Sequence, residues 1–218
     1  MLSSILLLAL ALALDSTEGI LERMRSAQRD LETLEARLEQ VKSYPQLGIE
    51  DPVERGFLYF QPGKLRLEIQ EPEARILVVK DGRYLLYQPR IRQAISGKLE
   101  SGTTKGLFPG LLTGAAESFR ELEISYSSSD RGEENLGDRR VHHLSFRARA
   151  DVPVVCQEIH LFVDTALLLP VAQKCREASG NEITLTLFDV ERNVPLEKDL
   201  FEIEIPEGVE LIERGGRR

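Results

Sequence analysis

Tryptophan is absent from these 218 residues, and aromatic residues make up only 6% of them. An apolar pocket in this chain must therefore be mainly aliphatic, with a few Phe and Tyr. Basic clusters are missing too. The short tail Arg214, Arg217, Arg218 is the one concentration, in a chain of net charge -8. Nucleic-acid binding needs Lys and Arg to neutralise phosphates, so no nucleic-acid partner is expected. Catalytic signatures are scarce. There are three His, and His142 and His143 are adjacent on a predicted strand, so they point to opposite faces. No G-x-S-x-G elbow, phosphate loop or dinucleotide fingerprint occurs. The expectation is a protein that is not an enzyme and needs no cofactor.

What is present begins with an apolar run, Ser4–Leu14, too short to span a bilayer comfortably as a helix. It contains Ala9-Leu10-Ala11 and Ala11-Leu12-Ala13, which match the small-x-small cleavage pattern of an export signal. No Lys or Arg precedes the run, and no Cys follows it that would mark a lipidated N-terminus. The predicted organisation is a signal peptide over 1–14 and one exported domain over 15–218. With 42% hydrophobic residues, that domain can bury a core.

Residues 16–41 carry a helical stripe: Ile20, Leu21, Met24, Ala27, Leu31, Leu34, Leu38 and Val41. From Val53 the period becomes two. Strands are predicted at Glu54–Phe60, Lys64–Ile69, Arg75–Lys80 and Tyr84–Gln88, separated by turn residues such as Asp81-Gly82. Residues 97–117 are Gly-rich and apolar, and read as a loop followed by a short helix from about Leu111 to Ser118. This is either a lid or a plain crossover. Further strands are predicted at Phe119–Tyr126, Arg139–Ala148, Val154–Val163, Leu169–Arg176, Glu182–Val190 and Phe201–Ile205, with a polar, exposed loop over Ser127–Asp138. One helix followed by many closely spaced antiparallel strands argues for a curved sheet or open barrel.

The two cysteines, Cys156 and Cys175, fall at or near opposing positions of one predicted hairpin. A disulfide is the simpler use in an exported protein. The alternative is a metal site, because alternation would put Cys156, Glu158 and His160 on one face.

The apolar positions carry more signal. Leu58 and Phe60 share a face, as do Leu65, Leu67 and Ile69. So do Leu122, Ile124 and Tyr126; Leu144 and Phe146; and Ile159, Leu161 and Val163. Ile76 and Val78 are assigned with them. Strand neighbours such as Arg66, Glu68, Glu121, Glu123 and Arg147 are charged, so one face of the sheet is greasy and the other wet. A single helix is a small cover for so many strands. The remaining apolar face needs a lid, a partner or a ligand.

Gly56-Phe57-Leu58-Tyr59-Phe60-Gln61-Pro62 through Leu67, the segment Ile76 to Pro89 containing Val79-Lys80-Asp81-Gly82 and Tyr87-Gln88-Pro89, Asp164 to Val171, and Asn193 followed by Phe201 to Val209 resemble, in order and spacing, motifs of the periplasmic outer-membrane lipoprotein carriers, LolA. The resemblance spans residues 36–211. It implies an unclosed, strongly curved antiparallel barrel, mainly β, with an N-terminal helix and a short lid helix. It places a first strand near Ala36–Tyr44, after a helix running from 16 to about 34. It implies that acyl chains of lipoproteins, or another lipid, enter a cavity drawn from Leu58, Phe60, Leu65, Leu67, Ile76, Val78, Leu122, Ile124, Leu144, Phe146, Ile159 and Leu161. Leu107, Phe108, Pro109, Leu111 and Leu112 would form the lid. The implied partners are an inner-membrane lipoprotein-releasing transporter and an outer-membrane acceptor, served by a monomer. The family's lid-holding Arg before Pro62 is Gln61 here, which can bond a carbonyl only without charge assistance. A related lipid or glycolipid shuttle, a lipoprotein sensor and, least favoured, a metal-dependent enzyme are the alternatives.

Overall fold

Strand after strand follows the period-two pattern into a single ladder. The computed structural model describes residues 17–98, 120 and 122–214. Among these, the helix α1 (Thr17–Arg29) precedes thirteen strands. They are β1 (Leu34–Tyr44), β2 (Ile49–Glu50), β3 (Glu54–Gln61), β4 (Lys64–Glu71), β5 (Arg75–Lys80), β6 (Arg83–Gln88), β7 (Gln93–Lys98), β8 (Tyr126–Leu136), β9 (Arg139–Ala148), β10 (Cys156–Asp164), β11 (Pro170–Glu177), β12 (Glu182–Arg192) and β13 (Glu210–Arg214). The sheet order is β13-β7-β6-β5-β4-β3-β1-β12-β11-β10-β9-β8, with the short β2 on β1. Among the described residues β8 and β13 end the ladder, so the barrel is unclosed. Every pairing between described strands is antiparallel except β13 with β7.

Local chemistry explains the connections. The β5–β6 turn has φ of 52° at Asp81 and 68° at Gly82. Positive φ at both central residues is the tight hairpin geometry that matches strand twist. Gly56 serves a different need: a Cβ there would lie 1.8 Å from the Glu68 carbonyl oxygen. Asp164 accepts the backbone N–H groups of Ala166 and Leu167 at 2.8 and 2.9 Å and so folds the β10–β11 turn. Asn193 pins the α1–β1 turn, accepting from Glu32 N–H at 2.9 Å and donating to the Asp30 carbonyl at 3.0 Å. The Arg192 guanidinium donates to the Ala27 carbonyl at 3.0 Å, satisfying an acceptor at the helix C-terminus.

Several expectations are corrected. The helix stops at Arg29 and β1 begins at Leu34, because Leu34, Ala36 and Leu38 are buried in a strand phase, not a helical one. Residues 122–125 are a helical turn, and the strand starts only at Tyr126. The stretch from Ser127 onward, expected as a loop, is most of β8. Its residues are exposed on both faces, as an edge strand's can be, and so lack hydrophobic alternation. Strand β7 falls partly in the region that breaks the pattern. Phe201–Ile205 is not a strand: it crosses the outer face of the sheet as an extended strap. Arg66 donates to the carbonyls of Leu200 and Glu202 at 3.0 and 3.5 Å, and Lys80 pairs with Glu202. The final strand is β13, further on.

Two apolar clusters lie on the inner face. One gathers Leu34, Leu38, Leu58, Phe60, Leu65, Leu67, Ile69, Val79, Leu185 and Leu187. The other sets Ile20, Leu21 and Met24 of α1 against Leu144, Phe146, Ile159, Leu161 and Val163, together with the Cys156–Cys175 disulfide.

Candidate functional site

Inside the first cluster lies a cavity of about 370 Å³. Its apolar wall is Leu38 of β1, Leu67 and Ile69 of β4, Leu77 of β5, Tyr84 and Leu86 of β6, and Ile183 and Leu185 of β12. From β6 to β12 is five steps along the ladder, roughly 24 Å on a flat sheet at about 4.8 Å per step. One small cavity touches both strands only because the sheet curves around it. The register sets the same face throughout. Leu67 lies opposite Leu77, Leu77 opposite Leu86, Leu38 opposite Leu187 and Gln40 opposite Leu185.

The polar residues of this lining are Gln40, Lys42 and Arg75. On β1 the inward phase Leu34, Ala36, Leu38 continues into Gln40 and Lys42, so the wall turns polar toward one end of the strand. Glu54, opposite Gln40 on β3, holds these groups together. It accepts from Arg75 Nη1 at 2.7 Å and Nη2 at 2.5 Å, from Gln40 Nε2 at 2.5 Å and from Lys42 Nζ at 3.3 Å. Burial pushes the Glu54 carboxyl up, but hydrogen bonds and charge from Arg75 and Lys42 outweigh it and hold the carboxyl below the ordinary carboxylate range.

The sequence-predicted cavity residues divide. Leu67 lines the cavity, and Leu58, Phe60 and Leu65 pack beside it in the same cluster. Leu122, Leu144, Phe146, Ile159 and Leu161 belong to the second cluster, under α1. Ile76 and Val78 are on the outer face, since Leu77 and Val79 are the residues opposite Leu67 and Leu65. Val78 is covered there by the strap, in a groove with Phe201, Ile203 and Ile205. Ile124 is 61% exposed, whereas Leu122 is buried. On a helical turn residues two apart point roughly 200° apart, so strand alternation does not apply. Gln61 closes the β3–β4 hairpin opposite Lys64. The lid residues Leu107, Phe108, Pro109, Leu111 and Leu112, like the signal segment 1–14, lie outside the described residues. Sequence reasoning missed Leu38, Leu77, Tyr84, Leu86, Ile183, Leu185 and the polar group, and placed Ile69 only on the greasy face. The signal for Gln40 and Lys42 was the period-two phase of Leu34, Ala36 and Leu38, hidden by a competing three-and-four spacing.

The alternative metal cluster does not assemble. A register irregularity between Cys156 and Glu158 puts Cys156 in the inner core while Glu158 and His160 face outward. Cys156 is bonded to Cys175, and Glu158 is engaged by Arg176 and Arg147. Arg176's hydrogen bond, above all, keeps the Glu158 carboxyl low.

A family model, the outer membrane lipoprotein carrier protein LolA, matches residues 29–204, most of the chain. The chain belongs to the LolA family. Asn193, Asp164 and Gly56, which carry the resemblance in sequence, are thus the residues that fold the turns and strand contacts of a LolA domain. Among solved structures it is similar to an uncharacterized conserved protein from Thermus thermophilus, at 14% identity and TM-score 0.59, covering 90% of this chain and 98% of that one. It is also similar to MucB, at 14% identity and TM-score 0.56, covering 86% of this chain and 62% of MucB. The Pseudomonas aeruginosa MucA/MucB complex gives 14% identity and TM-score 0.50, with 85% and 60% coverage. At such identities the likeness is one of fold. No curated protein matches the sequence.

Proposed function

We propose that this LolA-family chain is an exported lipid-binding carrier, which takes an acyl chain into the cavity between β1, β4, β5, β6 and β12 and releases it unchanged. The observation that carries this reading is the largely apolar cavity of about 370 Å³ that the described residues leave in the curve of the sheet. The other half of the inner face is closed by α1. Each methylene moved from water into such a site contributes about 0.8 kcal/mol, so binding needs no covalent step. Family membership supports lipoproteins as cargo, received from an inner-membrane transporter and passed to an outer-membrane acceptor. Export is supported by the Ser4–Leu14 run and by a disulfide, which persists in oxidising compartments.

Native mass spectrometry of the protein purified from its own periplasm tests the reading, alongside displacement of a fluorescent acyl probe. Co-purifying lipid or acylated peptide is expected. A folded protein that carries no lipid and binds no acyl probe would refute it. N-terminal sequencing of the same sample should begin near Leu12 or Leu14.

A further inference from the structure

We infer that the cavity's occupant is an anionic amphiphile, with its acyl chain on the aliphatic wall and its negative headgroup received by Lys42 and Arg75. This rests on the acyl-binding reading above and specifies the ligand it takes.

The cavity has chemical polarity along one axis. Leu67, Leu77, Leu86 and Leu185 offer only hydrocarbon, while Gln40, Lys42 and Arg75 carry the polar groups. Each of those three side chains donates N–H bonds, and no carboxylate is in the lining among the described residues. Glu54 sits behind them. Its side chain is 13% exposed, against 33% for Lys42 and 28% for Arg75, so the anion is deeper and the two cations face outward. One carboxylate opposes two cations. Lys42 spends one long contact of 3.3 Å on it, although an ammonium has three donors. A neutral headgroup at this mouth can accept a hydrogen bond from these donors but brings no charge to balance the two cations. An anionic headgroup completes the set that Glu54 begins, through charge-assisted hydrogen bonds. A carboxylate from a fatty acid and a phosphate from a phospholipid share this chemistry.

The test compares a fluorescent fatty acid with its methyl ester on the full chain, which differ in charge but not in the acyl hydrocarbon. The acid should bind about tenfold tighter, roughly 1.4 kcal/mol, and the preference should shrink with added salt. Lys42→Met should remove much of that preference, read as the ratio of acid to ester affinity. Arg75→Gln alone strands a partly buried carboxylate and risks the fold. The triple variant Lys42→Met, Arg75→Gln, Glu54→Gln removes all three charges without stranding one and should lose the preference. Glu54→Gln alone, by freeing both cations, should raise acid affinity. Competition by lysophosphatidylglycerol against unlabelled fatty acid then separates phosphate from carboxylate as the headgroup. Equal binding of acid and ester, or a preference that survives Lys42→Met and the triple variant, overturns the inference while leaving the acyl cavity standing. Binding of neither probe overturns both.

Discussion

The two halves of the inner face use similar side chains to different ends. Under α1, Ile20, Met24, Leu144, Leu161 and Val163 are each 0% exposed, and a disulfide ties β10 to β11. Around β5 and β6, Leu77, Tyr84 and Leu86 are only half-buried and border a cavity. Close packing leaves nowhere for a ligand, so the first half is suited to holding the fold. The second forgoes some packing and borders an open volume. In such a protein stability and binding should be separable by mutation.

The sharpest way to break that division is Phe146→Ala. Phe146 is 1% exposed in the filled half, and its truncation should cost about 3–5 kcal/mol. Urea unfolding would measure this, with probe affinity per folded molecule unchanged. A comparable loss of affinity would mean that the two halves are one site. Replacing both Cys156 and Cys175 by Ala should cost about 3 kcal/mol, on the loop-closure account of a cross-link. The urea midpoint would fall, and wild-type protein under reducing agent should follow it.

On the cavity side, Leu77→Ala should lower stability by only about 1 kcal/mol, because the residue is already half-solvated. Acyl-probe titration should show a severalfold weaker complex, the reverse of the Phe146 result. The smallest effect concerns pH. The Glu54 carboxyl is held low by Arg75 and Lys42 against the cost of burial, so its folded value lies below its unfolded one. Its stabilisation is therefore present above the ordinary carboxylate value of about 4.3 and disappears as pH falls through the lower folded value. Urea midpoints from pH 7 down to pH 3 should decline less steeply in Glu54→Gln than in wild type.

Much of the ladder was legible because alternation and turn chemistry agree. Arg75–Lys80 and Arg139–Ala148 appear with the predicted ends, and Asp81-Gly82 forms the predicted hairpin. Less of the site was legible. Ile76 to Val79 is apolar without a break, so it carries no phase to say which pair faces in. The strap from Leu200 to Ile205 makes the outer pair buried as well, and nothing local in β5 announces that cover.

By itself the sequence determined the strand-rich class, the helix at Ile20, Leu21 and Met24, the family motifs and the spacing that brings Cys156 near Cys175. Each rests on neighbours within a turn or a hairpin, where period and φ preference act directly. Only the tertiary structure decided that Ile124 faces solvent, that β8 ends the ladder among the described residues, and that Lys42 and Arg75 share one mouth. Those outcomes depend on strands distant in sequence curving around a common volume, and the carboxylate of Glu54 joins the two cations only after β1, β3 and β5 have taken their places in the sheet.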